Sequence, residues 1–277
     1  MKEVKFRYYN RALIPNCIDC EEISFTKEEL KEAFKRNKKA LFFAYTSNFD
    51  CGFDTGWYYV INDGGISNLH SSPNFRRKNN KVKRLVECKE ITFTEYKEPI
   101  VSLGKKCVSQ YKNYGKNIPS FDYSNIDGII IGAFDKESKT LIGFSIIQIN
   151  NRQINLSVEK TDLDFKRLMP SFALNLFILE NYVDFESGQY ASNGARTISH
   201  VTNHNDFLIE TFGFRKAYCR LILKYRNTFV LLLIIFLRIL SPFLKLFDKI
   251  HLIHLVNGVL LMDKISRKQK KMTQFNG

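Results

Sequence analysis

Short apolar runs separated by turn-forming residues dominate the chain up to about residue 226 and predict a mixed α and β protein. β-branched and aromatic residues are concentrated in these runs, which is typical of strands. The predicted strands cover residues 40–45, 56–61, 86–93, 128–134, 140–149, 154–158 and 217–225. Only short polar segments separate several of them, as expected for neighbouring strands of an antiparallel sheet.

Helical spacing and capping signals predict helices between the strands. Residues 26–29, Thr-Lys-Glu-Glu, have the form of a capping box that opens a helix. Pro170 suits the first turn of a strongly apolar helix, and Gly213 is the expected end of another. The predicted helices cover about residues 27–36, 73–84, 98–111, 170–182 and 205–212.

Residues 187–226 carry the most informative order of elements. A strand, a polar loop, a short helix ending at Gly213 and a last strand follow in turn, with the sequence Gly-Phe-Arg between helix and strand. This ending resembles the carboxyl end of a Gcn5-related N-acetyltransferase (GNAT) fold, and it is closer still to the Fem-type branch of that superfamily. The element order from residue 85 and the Leu-Ile-Gly-Phe segment at 141–144 extend the resemblance to about residues 40–226.

The resemblance implies an α+β fold with a mixed, mostly antiparallel sheet flanked by helices. Residues 1–71 are expected to form a partial amino-terminal α+β lobe, and residues 72–226 the GNAT-like acyltransferase domain. Residues 227–277 are expected to form an amphipathic helical tail. The resemblance further implies an enzyme that transfers an acyl or aminoacyl group to an amine.

Composition narrows the class of partner and the location. Among 277 residues, 44% are apolar and 14% aromatic, which excludes a disordered chain. The net charge of +14 indicates an anionic partner, either a nucleic acid, a phosphorylated cofactor or an anionic membrane. Cys17 and Cys20 lack a second pair at zinc spacing, so no metal site is predicted. With no signal-peptide pattern, reduced thiols and a cytoplasmic location are expected.

The tail combines the most apolar run of the chain with basic residues. Residues 229–237 are entirely apolar, whereas Arg238, Pro242 and Lys245 interrupt the continuation. Three interpretations remain open: a pair of helices at the membrane interface, a spanning helix, or packing on the domain or on a second subunit. Eight Lys or Arg against two Asp in residues 227–277 favour peripheral attachment to an anionic membrane surface.

Acyl transfer to an amine needs a group that takes up a proton. His200, in the polar loop before the last predicted helix, is the first candidate because the unperturbed pKa of histidine lies near the working pH. Glu159 stands where the resemblance implies a catalytic carboxylate or its substitute. A helix cap or a loop hydrogen bond is the alternative role for His200.

The donor site is expected at residues 159–170. There the resemblance implies a glycine-bearing loop that holds the pyrophosphate of acyl-coenzyme A, but this segment contains no glycine. Lys166, Arg167 and Ser171, beside the start of a helix, are the residues expected to hold a phosphate instead. An aminoacyl-tRNA, as in Fem-type peptidyltransferases, is the alternative donor.

Binding of the amine acceptor is assigned to charged side chains outside the donor segment 159–170. They are Asp50, Asp54, Arg76, Arg77 and Arg196. The aspartates suit a cationic amine, and the arginines suit a carboxylate or a phosphate. Turn formation and a solvated helix face are the corresponding structural roles.

The leading functional hypothesis is an acyltransferase acting on an amine of a sugar-nucleotide or cell-envelope precursor at the membrane surface. One alternative is a non-catalytic binding protein that keeps the fold but has a degenerate cofactor site. Another is a protein that binds aminoacyl-tRNA or other nucleic acid through the basic residues 76–84.

Overall fold

The computed structural model describes residues 6–110, 127–196, 203–248 and 250–275. Its elements follow in the order β1 (Phe6–Tyr9), β2 (Ala12–Pro15), α1 (Lys27–Arg36), β3 (Phe42–Ser47), β4 (Tyr58–Asn62), α2 (Pro73–Leu85), β5 (Val86–Ile91), α3 (Phe93–Gln110), β6 (Ile129–Asp135), β7 (Leu141–Asn150), β8 (Gln153–Thr161), α4 (Pro170–Asn181), β9 (Tyr190–Ala195), α5 (His204–Phe212), β10 (Arg215–Tyr218), β11 (Arg220–Tyr225), α6 (Thr228–Leu246) and α7 (His251–Phe275).

The strands form two sheets. The smaller sheet has the order β1-β2-β3-β11, and the larger has the order β10-β4-β9-β8-β7-β6-β5. Antiparallel pairing joins β5, β6, β7 and β8 in succession, whereas β8 and β9 are parallel. The predicted α+β class, a mixed and mostly antiparallel sheet flanked by helices, is confirmed.

The chain divides into two compact units, each discontinuous in sequence. The first unit consists of Met1–Tyr59, Ala195–Thr202 and Lys216–Gly277, and the second of Val60–Gly194 and Asn203–Arg215. Residues 227–277 belong to the same compact unit as the amino-terminal residues.

The first unit has an aromatic core on one side of its sheet. Phe43 is fully buried and meets Phe6, Phe25 and Phe34 edge to face, with ring centroids 5.0 to 6.2 Å apart. The predicted capping box opens α1, since the Thr26 hydroxyl accepts from the Glu29 amide while the Glu29 carboxylate accepts from the Thr26 amide. That cap fixes the start of the helix that carries Phe34 into the core.

A second core of the first unit includes the carboxyl-terminal helix. Trp57, Leu221 and Ile265 of α7 are buried in the same cluster. The Gln269 side chain is also buried there, and its amide accepts from the Leu221 backbone N–H and donates to the Thr55 carbonyl. Because these partners lie on β11 and on the loop before β4, α7 is a structural part of the first unit.

The second unit is built around β7, the strand most deeply buried in its sheet. Residues 141–147 are buried without interruption, as expected for a strand covered on both faces. Phe144 packs with side chains of α3, whereas a Cβ on Gly143 would lie only 3.3 Å from Pro170 and Leu174 of α4. The glycine therefore permits the close approach of α4 to the sheet.

Three phenylalanines join the helices of the second unit. Phe75 of α2, Phe172 of α4 and Phe212 of α5 are mutually in contact, with centroids 5.0 to 6.0 Å apart. Gly213 ends α5 in the left-handed conformation at φ 70°, as predicted from its sequence. The aromatic contacts hold α4 and α5 together, and these two helices carry the side chains of the candidate site.

Candidate functional site

β8 and β9 run side by side for only part of the length of β8. Within the described chain, β9 pairs with β8 only at residues 153–155, although β8 continues to Thr161. On its other edge β8 stays paired with β7 up to Thr161. On the β9 side, residues 156–161 therefore have no strand partner among the described residues. An extended ligand can form backbone hydrogen bonds with this edge.

Glu159 lies on this open part of β8 and its carboxylate is held at both oxygens. The Ser171 hydroxyl donates to Oε1 at 2.5 Å, and the Asn175 side-chain amide donates to Oε2 at 2.7 Å. Ser171 and Asn175 are four residues apart on α4, so both face the same strand. The Asn175 amide also donates to the Ser171 carbonyl at 2.9 Å, which fixes its orientation.

His204, the first residue of α5, completes this cluster. Its Nε2 lies 3.8 Å from Glu159 Oε2, and its ring stacks on Phe207 with centroids 6.0 Å apart. The His204 side chain is 24% exposed and that of Glu159 16%, so the pair is shielded but reachable from solvent. An imidazole beside a fixed carboxylate can take up a proton and hold it as an ion pair.

A cavity of about 210 Å³ adjoins the cluster at the start of α4. Its lining residues are Lys78, Thr161, Asp162, Leu163, Lys166, Met169, Pro170, Ser171, Phe172 and Phe207. Lys78 and Lys166 border this cavity next to the first turn of α4. Lysine charge and unpaired helix N–H groups both favour an anion.

The segment that precedes α4 is fixed by ion pairs. Lys106 of α3 contacts both Asp162 and Asp164 at 2.6 Å, and the hydrogen bond to Asp162, with a second to Asp164, raises the pKa of Lys106 to about 12. Met169 has a left-handed backbone, with φ 59°, directly before α4. The chain thus enters α4 through a conformation that favours glycine, although no glycine is present.

Two of the predicted donor residues lie at the cavity. Lys166 and Ser171 line it, whereas the exposed Arg167 does not. Arg76 and Arg77 are exposed on α2, and the Arg77 guanidinium donates to Asn74. Their neighbour Lys78 lines the cavity, although sequence reasoning singled out the two arginines beside it.

Asp50, Asp54 and Arg196 belong to the first unit. Asp54 accepts from the Gly56 backbone N–H at 2.7 Å, and Asp50 is exposed in a left-handed conformation with φ 56°. Arg196 donates to the Gly56 carbonyl at 2.8 Å and lies over the ring of Tyr58. These contacts are those of turn-forming and loop-fixing residues.

The first catalytic candidate from the sequence, His200, lies outside the described residues. Sequence reasoning missed His204 as a site residue, although His204 follows four positions later at the start of the predicted helix. It also missed Asn175, whose signal was a single polar side chain within the otherwise apolar stretch of residues 172–179. A polar side chain at a buried position needs partners, and here Glu159 and Ser171 supply them.

A scan against known protein families finds no match, and neither does a search of curated proteins. Among solved structures, the chain is similar to a carboxyl-terminal domain assigned to a lysylphosphatidylglycerol synthetase of Agrobacterium fabrum, with 10% identity and a TM-score of 0.49 over 86% of this chain and 85% of that one. L-PGS from Bacillus licheniformis has 13% identity and a TM-score of 0.44, with 81% of each chain covered.

A GCN5-related N-acetyltransferase from Kribbella flavida has 8% identity and a TM-score of 0.40, over 76% of this chain and 79% of that one. The fold class rests on the strand order and pairing described above.

Proposed function

We propose that this protein is an acyltransferase that moves an acyl or aminoacyl group to an amine, with its site at the open end of β8. One observation carries the proposal. His204 stands beside the carboxylate of Glu159, which Ser171 and Asn175 hold at both oxygens, next to a cavity bordered by lysines.

His204 is proposed as the group that takes the proton from the attacking amine. An amine attacks an acyl carbon only after losing its ammonium proton, and an imidazole changes charge near neutral pH. Glu159 is the positioning residue, because its fixed negative charge stabilises the imidazolium that forms. Ser171 and Asn175 keep the carboxylate in place, so little reorganisation accompanies the proton transfer.

The donor is proposed to bind with a phosphate at the cavity beside α4. A volume of about 210 Å³ is below the roughly 300–1,000 Å³ of a whole-ligand pocket, so it suits one end of a larger molecule. Lys78 and Lys166 supply positive charge, and the first free N–H groups of α4 follow Pro170. Acyl-coenzyme A and aminoacyl-tRNA both carry phosphates and acyl groups, and acyl-coenzyme A supplies its acyl group as a thioester.

The acceptor is proposed to be an amine of a sugar-nucleotide or cell-envelope precursor, in keeping with the Fem-type resemblance. Asp50, Asp54 and Arg196 remain the proposed contacts to its charged groups. Arg76 and Arg77, both exposed on α2, are proposed to contact a phosphate backbone when aminoacyl-tRNA is the donor.

Calorimetric titration of the full chain with acetyl-coenzyme A and with aminoacyl-tRNA tests the proposal. In the double variant Lys78→Glu/Lys166→Glu, the affinity for the true donor is expected to fall by about a hundredfold or more, because each of the two charge-assisted contacts contributes about 1.5–3 kcal/mol. The matched variant Arg76→Glu/Arg77→Glu carries the same charge change outside the cavity lining and should leave acetyl-coenzyme A binding unchanged.

The arginine variant also distinguishes the two donors. If aminoacyl-tRNA binds through α2, this variant weakens binding and lowers the slope of log affinity against log salt by about two. Binding of neither donor by the unaltered chain would contradict the proposal. It would favour the non-catalytic binding protein instead, which the glycine-free segment 159–170 also favours.

A further inference from the structure

α6 presents apolar side chains to solvent along a regular stripe. Leu232, Phe236, Ile239, Phe243 and Leu246 follow one another at alternating spacings of four and three residues, and each is 56 to 77% exposed. That spacing places them on one face of a helix. These five residues are called the outer stripe. On the opposite face only Val230 and Ile234 are buried.

The charges of α6 do not lie in the outer stripe. Its only ionisable side chains are Arg238 and Lys245. Arg238 points to α7, where its guanidinium donates to Asp263 at 2.8 Å, and Asp263 also accepts from Tyr225 and Arg267. A surface helix in water normally has the reverse arrangement, with apolar residues inward and charges outward.

Both acidic residues of the segment 227–277 are engaged within the helix pair. Asp263 is bound as described, and Asp248 contacts His254 Nδ1 at 2.9 Å and accepts from the Asn257 amide at 2.7 Å. Among the side chains of α7 that the structure describes, the exposed charged ones are basic. They are Lys264, Arg267, Lys268 and Lys270. The pair thus combines an exposed apolar stripe with exposed cations.

We propose that the outer stripe of α6 lies in the interface of an anionic lipid bilayer while α7 holds the helix on the protein. Hydrocarbon covers the stripe, and anionic headgroups match the cations of α7, as in interfacial helices of this composition. A second copy is a poorer partner, because it carries the same net charge of +14 and offers no anionic counterpart to these cations. The proposal is independent of acyl transfer.

The contacts between α6 and α7 indicate that α6 lies on the membrane and does not cross it. α6 is long and apolar enough to span, but spanning would separate it from α7. Arg238 would then leave Asp263 and enter hydrocarbon, and the buried Asp263 would lose this partner. Both changes are costly, so the bound helix keeps its contacts with the protein.

Sedimentation of the full chain with vesicles tests this inference. We expect binding to phosphatidylcholine–phosphatidylglycerol vesicles, weaker binding to phosphatidylcholine alone, and partial release by salt. The variant Phe236→Lys/Ile239→Lys should lower partitioning by about tenfold or more, although it adds positive charge. The matched variant Phe53→Lys/Ile149→Lys adds the same charge at apolar residues of about half exposure and should not weaken binding.

Three outcomes would overturn the inference. Unchanged vesicle binding by the stripe variant would mean that the stripe does not contact lipid. A dimer in lipid-free solution that this variant dissociates, with vesicle binding retained, would assign the stripe to a second copy. Retention in the pellet through alkaline carbonate would mean that α6 spans the bilayer.

Discussion

Replacing Asp263 by alanine is expected to lower the free energy of unfolding of the first unit by about 3–5 kcal/mol. The Asp263 side chain is 3% exposed and binds Arg238, Arg267 and Tyr225, so its removal leaves two partly buried guanidinium groups and a phenol without this acceptor. Removing one partner of a buried ion pair destabilises more than the intact pair stabilises, because the remaining group has already lost its water.

The measurement has an internal reporter. Trp57 is the only tryptophan of the chain, and it is buried in the same cluster as Ile265 of α7. Urea unfolding followed by its fluorescence therefore reports on the first unit. Lys264→Ala, at the exposed neighbouring position, is the control and should change stability by less than about 0.5 kcal/mol. Equal stabilities of the Asp263 and Lys264 variants would contradict this account of the cluster.

The same residue is expected to make stability depend on acid pH. Burial acts to raise the pKa of the Asp263 carboxyl, but hydrogen bonds from Tyr225, Arg238 and Arg267 outweigh it and hold the pKa below its usual range. The stabilisation is then present above the unfolded pKa of about 3.9 and is lost as the pH falls through the folded pKa. Asp263→Asn should flatten the stability curve in that window.

Replacing His204 by alanine is expected to lower the transfer rate by about 10²–10⁴-fold, the usual contribution of a positioned general base. Donor affinity should remain unchanged, because His204 is not among the residues that line the cavity. Glu159→Gln should lower the rate by less, since the imidazole remains and only the charge beside it is removed. The rates are measured under single-turnover conditions with the donor that calorimetry identifies.

A matched histidine serves as the control. His70 also lies near a carboxylate, with its Nε2 4.0 Å from Glu180, but it is remote from the cluster in sequence and does not line the cavity. His70→Ala should leave the rate unchanged. Added imidazole should partly restore the His204→Ala variant, which a purely structural defect would not allow. A fully active His204→Ala variant would contradict the assignment of His204 as the proton acceptor. It would favour His200, the candidate from the sequence.

The sequence predicted those parts of the fold that depend on residues close together in the chain. The capping box at Thr26 and the helix end at Gly213 depend on neighbouring residues, and both are confirmed. The β1–β2 hairpin was missed, because its turn is Asn10-Arg11 and Arg11 adopts a left-handed φ of 67° without the usual glycine. The strand predicted over residues 217–225 is wrong in one respect, since it is divided into β10 and β11.

That division has a non-local cause. The Cys219 carbonyl accepts from the Thr55 hydroxyl at 2.6 Å, and the Cys219 N–H donates to the Trp57 carbonyl. Periodicity cannot show a contact with residues 160 positions away. The same limit applies to the candidate site, because the resemblance pointed to Glu159, whereas the proximity of His204 depends on how β8 and α5 pack.

The discontinuity of the first unit has a consequence for biosynthesis. β3 completes its sheet by pairing with β11, in a register that joins Phe42 to Tyr225, and Ile265 of α7 fills the core behind. A ribosome therefore releases all of the second unit before the first unit can close. Until then the edge of β3 and the side chain of Phe42, which packs in the core shared with β11 and α7, remain uncovered. This reverses the usual order in which amino-terminal units fold first. We therefore expect the unpaired edge of β3, residues 42–47, to be the part of the nascent chain most prone to pairing with another chain until β11 has been synthesised.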